Sequence, residues 1–397
     1  MNPIKLPFGF VISSLALINL AGSIALFAPN AIANISQKPA PVIKQVSLTA
    51  VPRLKQPIAA KLDLKNFTQT LDQQEVASAI RQLELGWKKQ FEDYYNGQLT
   101  SQYLEPVQMV QSLARLHRLT GKKTALVYAI SAPEQLEVIV VTPGGKLIHQ
   151  RIADAPRKKL FEIAQTYRMG VVDPLSRSND YLPASQQLHR WIMEPIEPFL
   201  AAEKIDTLIF CLGNGLRSLP MAALHDGKQF LVEKYSLGII PAFNLLDQHP
   251  AVLQGVQVLA MGASTFKEQS PLPAVPAELD VIAENLWQGR SLLNQDFTIE
   301  NLKAQRSQTP YGIVHLATHA EFLPGVAEDS YIQFWDQRLR PTQLRELGLR
   351  IPIVQLLVLS ACQTALGDPN AELGFAGLAV QSGSKAALAS LWSVSDT

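Results

Sequence analysis

The chain has 397 residues, of which 47% are apolar and 17% charged, a balance that excludes a disordered chain and supplies enough apolar mass for a full-sized core. Its 35 lysines and arginines nearly match its 34 aspartates and glutamates, and the net charge of +1 offers no basic excess for nucleic acid or an anionic membrane surface. Cys211 and Cys362 are the only cysteines, too few for a disulfide scaffold and wrongly spaced for a zinc site, so stability has to come from the core.

At the amino terminus Lys5 precedes an apolar segment over residues 8–28, interrupted by Ser13, Ser14, Asn19 and Gly22. Ala31-Ile32-Ala33 then sets small residues three and one before a cleavage point. Residues 1–33 are expected to be a secretory signal peptide; the alternative is an uncleaved anchor, because the run is about long enough to span a bilayer. Either way the folded part is expected outside the cytoplasm, secreted or periplasmic, or membrane-anchored and facing outward. Residues 34–66 carry Pro39, Pro41, Pro52 and Pro57 with scattered lysines and no sustained period, as in an extended, solvated linker.

Val76, Ile80, Leu83, Trp87, Phe91 and Tyr94 recur at helical spacing. A second amphipathic helix runs through Val110, Leu113, Ala114 and His117 and ends at Gly121. No self-similar period of a helical repeat array is present. Three short strands, 124–130, 136–142 and 146–152, with the turn Pro143-Gly144-Gly145, predict an antiparallel meander. A helical region over 184–199 is cut at Pro195.

The pattern then alternates. Strands are predicted at 207–212, 256–261, 291–293, 313–317, 356–359 and 386–391, and helices at 276–287, 298–305, 342–347 and 374–382. Alternation of this kind implies right-handed crossovers and a mainly parallel sheet covered on both faces, hence a three-layer α/β domain. The last predicted strand runs into Trp392-Ser-Val-Ser-Asp-Thr397 with no covering helix after it. That ending is expected of a shielded edge strand or of a truncated copy of a longer domain.

Two of the strands end on reactive side chains. The unbroken apolar run 356–359 exits through Ser360 and Ala361 onto Cys362, and the run 313–317 exits through Thr318 onto His319. Sites in open α/β sheets are built at the carboxyl ends of strands, so two such strands side by side would bring a thiol to an imidazole. A lone cysteine at a strand end is more often a small buried hydrophobe, and only the pairing with His319 singles Cys362 out. Nearby amides and an imidazolium would favour its thiolate, and the N–H groups of Ala320 and Cys362 are the candidate oxyanion donors.

Other groups read more plainly. His315 is expected to be a packed, hydrogen-bonded strand histidine rather than half of a metal pair. Cys211 is expected to be a buried free thiol, and Gly213-Asn-Gly215 a turn. Arg217, Glu321 and Asp329 are candidates for a substrate cleft, set against an ordinary life as solvated charges. No Gly-x-Ser-x-Gly, His-Glu-x-x-His or Walker sequence occurs, so serine hydrolase, zinc protease and nucleotide hydrolase chemistry lack their key residues.

His315-Leu-Ala-Thr-His319, Leu357-Val-Leu-Ser-Ala-Cys-Gln-Thr-Ala-Leu-Gly367 and Ala389-Ser-Leu-Trp-Ser-Val394 together resemble the signature of CHAT domains, relatives of caspases and separases in the caspase-like cysteine peptidase clan. Gly215-Leu-Arg-Ser-Leu-Pro-Met-Ala-Ala-Leu224 and Leu231-Val-Glu-Lys-Tyr235 resemble the first half of that domain, and the resemblance spans residues 67–397. It implies a caspase-like sandwich in which His319 is the catalytic imidazole and Cys362 the nucleophile of an endopeptidase working through a thioacyl intermediate. It also implies a protein or peptide substrate, an activating partner or cleavage step, and no metal or cofactor. The alternative is a catalytically inactive CHAT-fold module that binds a partner protein. Two departures from the family pattern stand out: Ala320 where relatives usually have Gly, and an ending just past the Trp-containing strand where family members continue with a helix. Ser360 stands where clan relatives often carry an acidic residue that selects a basic substrate side chain.

Overall fold

In the computed structural model the described residues are 62–94, 103–173, 175–245, 251–321, 330–361 and 383–390. The expected signal peptide and most of the linker lie outside them, as do the predicted helix 374–382 and Cys362. In chain order the elements are α1 (Leu64–Asp72), α2 (Val76–Tyr94), α3 (Pro106–Thr120), β1 (Thr124–Ser131), β2 (Leu136–Val141), β3 (Leu147–Ile152), α4 (Arg157–Val172), α5 (Ser178–Ile192), α6 (Glu197–Glu203), β4 (Thr207–Leu212), α7 (Leu231–Lys234), β5 (Ser236–Ile240) and β6 (Val258–Gly262). There follow α8 (Val275–Asp280), β7 (Gly289–Leu293), α9 (Ile299–Gln308), β8 (Ile313–Ala317), β9 (Ala320–Glu321), β10 (Tyr331–Gln333), β11 (Arg338–Leu339), β12 (Leu356–Ser360) and β13 (Ala387–Ala389). This is the mixed α/β architecture expected from the alternating pattern.

Local signals set several boundaries. The Asp63 carboxylate accepts from the N–H groups of Lys65 (3.0 Å) and Asn66 (3.1 Å), which starts α1 at Leu64, inside the stretch expected to be linker. Pro106 opens α3, and Gly121, at φ 71°, closes it in the left-handed conformation that glycine adopts without strain. The break between α5 and α6 falls on residues 193–196, around Pro195. α4 and β5 had no clear period in the sequence and emerge only in the fold.

The first sheet has strand order β3-β2-β1-β4-β5. β1, β2 and β3 form the expected antiparallel meander, but it is no separate unit: β1 pairs in parallel with β4 from Thr124↔Thr207 to Ala129↔Leu212. Side chains alternate between faces. Leu126, Tyr128 and Ile130 pack against Phe67, Leu83 and Trp87 of the amino-terminal helices, while Val127, Ala129 and Phe210 pack on the other side with Leu160, Leu188 and Trp191 of α4 and α5. The second sheet, β13-β12-β8-β6-β7, is parallel throughout. Its Leu259, Val314 and Leu357 join the core that runs under the first sheet, and its Val258, Ala260 and Ile313 pack beneath α8 with Val275 and Leu279.

A buried carboxylate ties the amino-terminal layer to the sheet. Glu84 on α2 is fully buried and accepts from the Tyr128 hydroxyl (2.7 Å), the N–H of Phe243 (2.9 Å), the N–H of Asn244 (2.8 Å) and the Asn244 side chain (3.0 Å). Burial pushes its carboxyl up, against the pull of these bonds. Arg217, a candidate for the cleft, is instead buried: its Nε donates to the Leu212 carbonyl (2.8 Å) and its guanidinium lies 5.6 Å from the Trp87 ring, because the turn after β4 folds under α2. Glu84→Ala would strand a hydroxyl and three nitrogens without their acceptor, so urea denaturation is expected to show a loss of about 3 kcal/mol or more. A loss under about 1 kcal/mol would show that this carboxylate does not hold the layer.

Candidate active site

β8 and β12 are direct neighbours, in register from Leu356↔Ile313 to Ser360↔Ala317. The N–H of Thr318 donates to the Ser360 carbonyl at 3.1 Å, which holds the two exits level one step beyond the strands. His319 therefore leaves β8 at the rim where the chain leaves β12 through Ala361. Cys362, the next residue, lies outside the described residues. The Ala361 carbonyl accepts from the Ser390 hydroxyl, on the β13 side of β12.

His319 is half-buried and held on two sides by the segment between β6 and α8. Its Nε2 lies 2.8 Å from the carbonyl oxygen of Ser270, and the Phe266 ring meets the imidazole edge-on with centroids 4.6 Å apart. A carbonyl only accepts, so Nε2 carries a proton, and Nδ1 is the ring nitrogen this contact leaves open. The imidazole is thus oriented by a backbone group, and the Nδ1 side is the one equipped to take a proton from an acid.

The segment that supplies Ser270 is itself strapped down. Ser264 N–H donates to Asn294 Oδ1 (2.8 Å), Leu272 N–H to the Ser264 carbonyl (2.9 Å), and Gln269 Nε2 to the Tyr331 hydroxyl (3.3 Å). Arg338 lies 4.4 Å from the Tyr331 ring and 3.7 Å from Glu268. The small sheet β11-β10-β9 thereby braces the segment that holds His319.

Ala320 is buried in β9 opposite Ile332. Gln333 N–H donates to the His319 carbonyl (2.9 Å), which makes Ala320–Ile332 a pair that exchanges no hydrogen bonds. The Ala320 N–H accordingly points away from β10. Glu321 is exposed, and Asp329 lies outside the described residues.

Under the rim lies a polar group in an apolar layer. His315, almost fully buried, places Nε2 2.9 Å from Glu278 Oε1 on α8. Burial alone would raise the Glu278 carboxyl; the hydrogen bond and charge of His315, with a smaller contribution from the Ser360 hydroxyl, outweigh burial and hold it below the ordinary carboxylate range. His315 is thus the hydrogen-bonded strand histidine expected, with a carboxylate partner that the sequence spacing did not suggest. Among the described residues no group of three or more His, Cys, Asp or Glu side chains is arranged to hold a metal ion, and Cys211 is a free, buried thiol.

Sequence reasoning missed Ser270, Phe266 and Glu278. Ser270 acts through a carbonyl that every residue carries, so no residue-type signal marked it. Glu278 stands 37 positions from His315 and belongs to a helix whose exposed acids look the same in sequence.

Residues 182–397, more than half of the chain, match a family model described as CHAT domain. No curated protein matches the chain.

Because the Glu278 carboxyl is lower in the folded chain than in the unfolded one, the unfolded state binds more protons and stability rises with pH across the carboxylate range. The contribution is complete above about pH 4.5 and is lost as pH falls through the depressed value. Urea midpoints are expected to drop further between pH 7 and pH 3.5 in the wild type than in Glu278→Gln; an equal drop in both would contradict this.

Proposed function

The chain belongs to the CHAT domain family, which is related to the caspase-like peptidases, and on that premise we propose that it is a cysteine endopeptidase with Cys362 as nucleophile and His319 as its base. The observation that carries this reading is the register of β8 and β12. His319 stands two positions past Ala317 and Cys362 two past Ser360, and Ala317 and Ser360 are paired. Consecutive Cα atoms are about 3.8 Å apart, so Cys362 begins its course one such step from the level exits. The Ala361 carbonyl is engaged on the β13 side of β12.

In this mechanism His319 Nδ1 takes the thiol proton while the Ser270 carbonyl holds Nε2–H and fixes the tautomer. The Cys362 sulfur attacks the scissile carbonyl carbon, and the N–H groups of Cys362 and Ala320 bind the oxygen as it becomes negative. The imidazolium returns its proton to the leaving amine. Water, deprotonated by the same imidazole, then cleaves the thioester and frees the acid. The Ala320 methyl is part of the buried apolar core, and the change from Gly leaves the backbone N–H in place. With Ser360 two residues before the nucleophile, a preference for basic side chains is not inherited from that position.

The functional unit extends beyond the matched family region to the amino-terminal layers, since β1 to β3 share a sheet with β4. We place it outside the cytoplasm, behind a leader at residues 1–33, acting on protein or peptide substrates and released by a protein partner or by cleavage. No helix of the described residues is long and apolar enough to cross a membrane.

A thiol-reactive peptidyl probe is expected to label the wild type and not Cys362→Ala, and labelling or peptide hydrolysis is expected to slow by about 10²- to 10⁴-fold in His319→Ala. Equal labelling of wild type and Cys362→Ala would exclude Cys362 as the nucleophile.

A further inference from the structure

We propose that the open edge of β3 is a docking site for an extended peptide of a partner protein, paired as the next strand of the first sheet. One long side chain of that peptide, with a neutral polar tip, occupies the cleft beside Trp191. The inference is independent of the peptidase reading. β3 is the edge strand of the order β3-β2-β1-β4-β5, and its pairing with β2 runs unbroken from Leu136↔Ile152 to Val141↔Leu147. The bond from Thr142 N–H to the Lys146 carbonyl (3.1 Å) fixes which backbone groups face β2. Hydrogen-bonded pairs recur at every second residue of an antiparallel ladder, so Ile148, Gln150 and Ile152 turn their N–H and C=O groups to β2. The backbone groups of Leu147, His149 and Arg151 point outward, and among the described residues they meet no hydrogen-bond partner.

An edge of this kind is ordinarily blunted by proline, by a bulge or by charges held out over it. β3 contains neither proline nor bulge. His149 and Arg151 are drawn back over the sheet: His149 Nε2 lies 2.7 Å from Glu137 Oε2, and Arg151 Nε donates to Glu137 Oε1 at 2.8 Å. Glu137 sits on β2 and is fully buried. Arg151 also donates to Asp72 at the end of α1, at 2.6 Å. The charge that could repel an incoming strand is thereby neutralised over the sheet face, and the outward main-chain groups are left clear.

Beside the carboxyl end of β3, between the strand and the end of α5, lies a cleft of about 550 Å³, a size that suits a bound side chain and its neighbours. Ile152 and Trp191 form its apolar part, with the indole N–H donated to Asp154 at 3.0 Å. Its charges balance, Arg151 and Arg190 against Asp154 and Glu194. Arg190 bonds to Gln187 (2.7 Å), and neither Arg190 nor Glu194 has an ion-pair partner among the described residues. A strand added about 4.8 Å beyond β3 alternates its side chains between faces, so its residue opposite Ile152 turns to the Ile152 face, over this cleft. A charged tip there would meet a like charge as well as an opposite one. Glutamine or tyrosine instead lays an apolar body against Trp191 and Ile152 and offers both a donor and an acceptor to the walls. Main-chain bonds supply the affinity, and the cleft selects one side chain.

The test pans phage displaying random dodecapeptides on the full chain carrying Cys362→Ala, so that no library member can be cleaved. Enriched peptides, resynthesised with capped ends, are expected to share glutamine or tyrosine at one position and to lack proline through the paired stretch. N-methylation of alternate peptide amides is expected to weaken binding about fivefold or more at each, and at the intervening amides by no more than about twofold, because only every second N–H reaches β3. Amide exchange at Leu147, His149 and Arg151 is expected to be fast in the peptide-free chain and to slow about tenfold or more with peptide bound. His149→Pro, which deletes an outward N–H and leaves the ladder to β2 intact, is expected to weaken binding about fivefold or more. Panning on Arg190→Glu is expected to replace the neutral residue by lysine or arginine.

No enrichment, an N-methyl scan without the two-residue alternation, or bound peptides that leave exchange at these three amides unchanged would each overturn the proposal. Slow exchange there in the peptide-free chain would overturn it as well, since the edge would already be covered, by a second copy if sedimentation shows a dimer and by residues before Leu62 if it shows a monomer. An unchanged selection on Arg190→Glu would overturn the role of the cleft. Should His149→Pro not fold, the N-methyl scan and the exchange rates, which need no change in β3, decide the matter.

Discussion

The parallel pairing of β8 with β12 is the constraint on which the rest of the site depends. Parallel strands in register advance together, so residues equally far past a paired position emerge at the same level of the sheet. The bond from Thr318 N–H to the Ser360 carbonyl carries that register beyond the last strand residue of β8. β8 is buried along its whole length, whereas β12 alternates buried and half-buried residues. Both runs end on polar residues, Ser360 in β12 and Thr318 just past β8.

Around this pair the fold spends its buried polar groups on loops. Glu84 gathers the segment after β5, Arg217 the turn after β4, and Arg306 the carbonyls of Leu347, Gly348 and Pro352 in the segment that leads into β12. Each is a side chain with several donors or acceptors, able to satisfy backbone groups that no ladder reaches. The common result is that irregular segments, which apolar contacts alone hold loosely, have one position. The segment over His319 is held in the same way by Asn294 and Tyr331.

The family match starts inside α5, yet the physical unit does not. The first sheet would lose three of its five strands if cut there, and β1 is the strand that covers the inner edge of β4. Leu126, Tyr128 and Ile130 would leave with β1, and the opposing helix residues Phe67 and Trp87 would lose the surface they cover. Packing thus carries the folded unit beyond the matched region at least as far as α1, whose first turn is capped by Asp63.

Periodicity and strand exits are local properties, and they made much of this protein legible in one dimension. The 2-residue alternation in β1, the 3.6-residue spacing in α2 and the apolar runs ending on His319 and Cys362 follow from which side chains a strand or helix must bury. The family motifs could be recognised for the same reason. The sequence by itself therefore determined the fold class, the element order over most of the chain and the two residues on which chemistry is proposed. Only the tertiary structure decided that the meander joins the sheet of β4, that Arg217 is a clamp, that the Ser270 carbonyl meets His319, and that the Glu278 carboxylate meets His315. Those contacts join residues far apart along the chain, 49 positions for Ser270 and His319, and one of the two groups is a carbonyl that all residues share. No pattern of residue types records which distant segment the chain brings back.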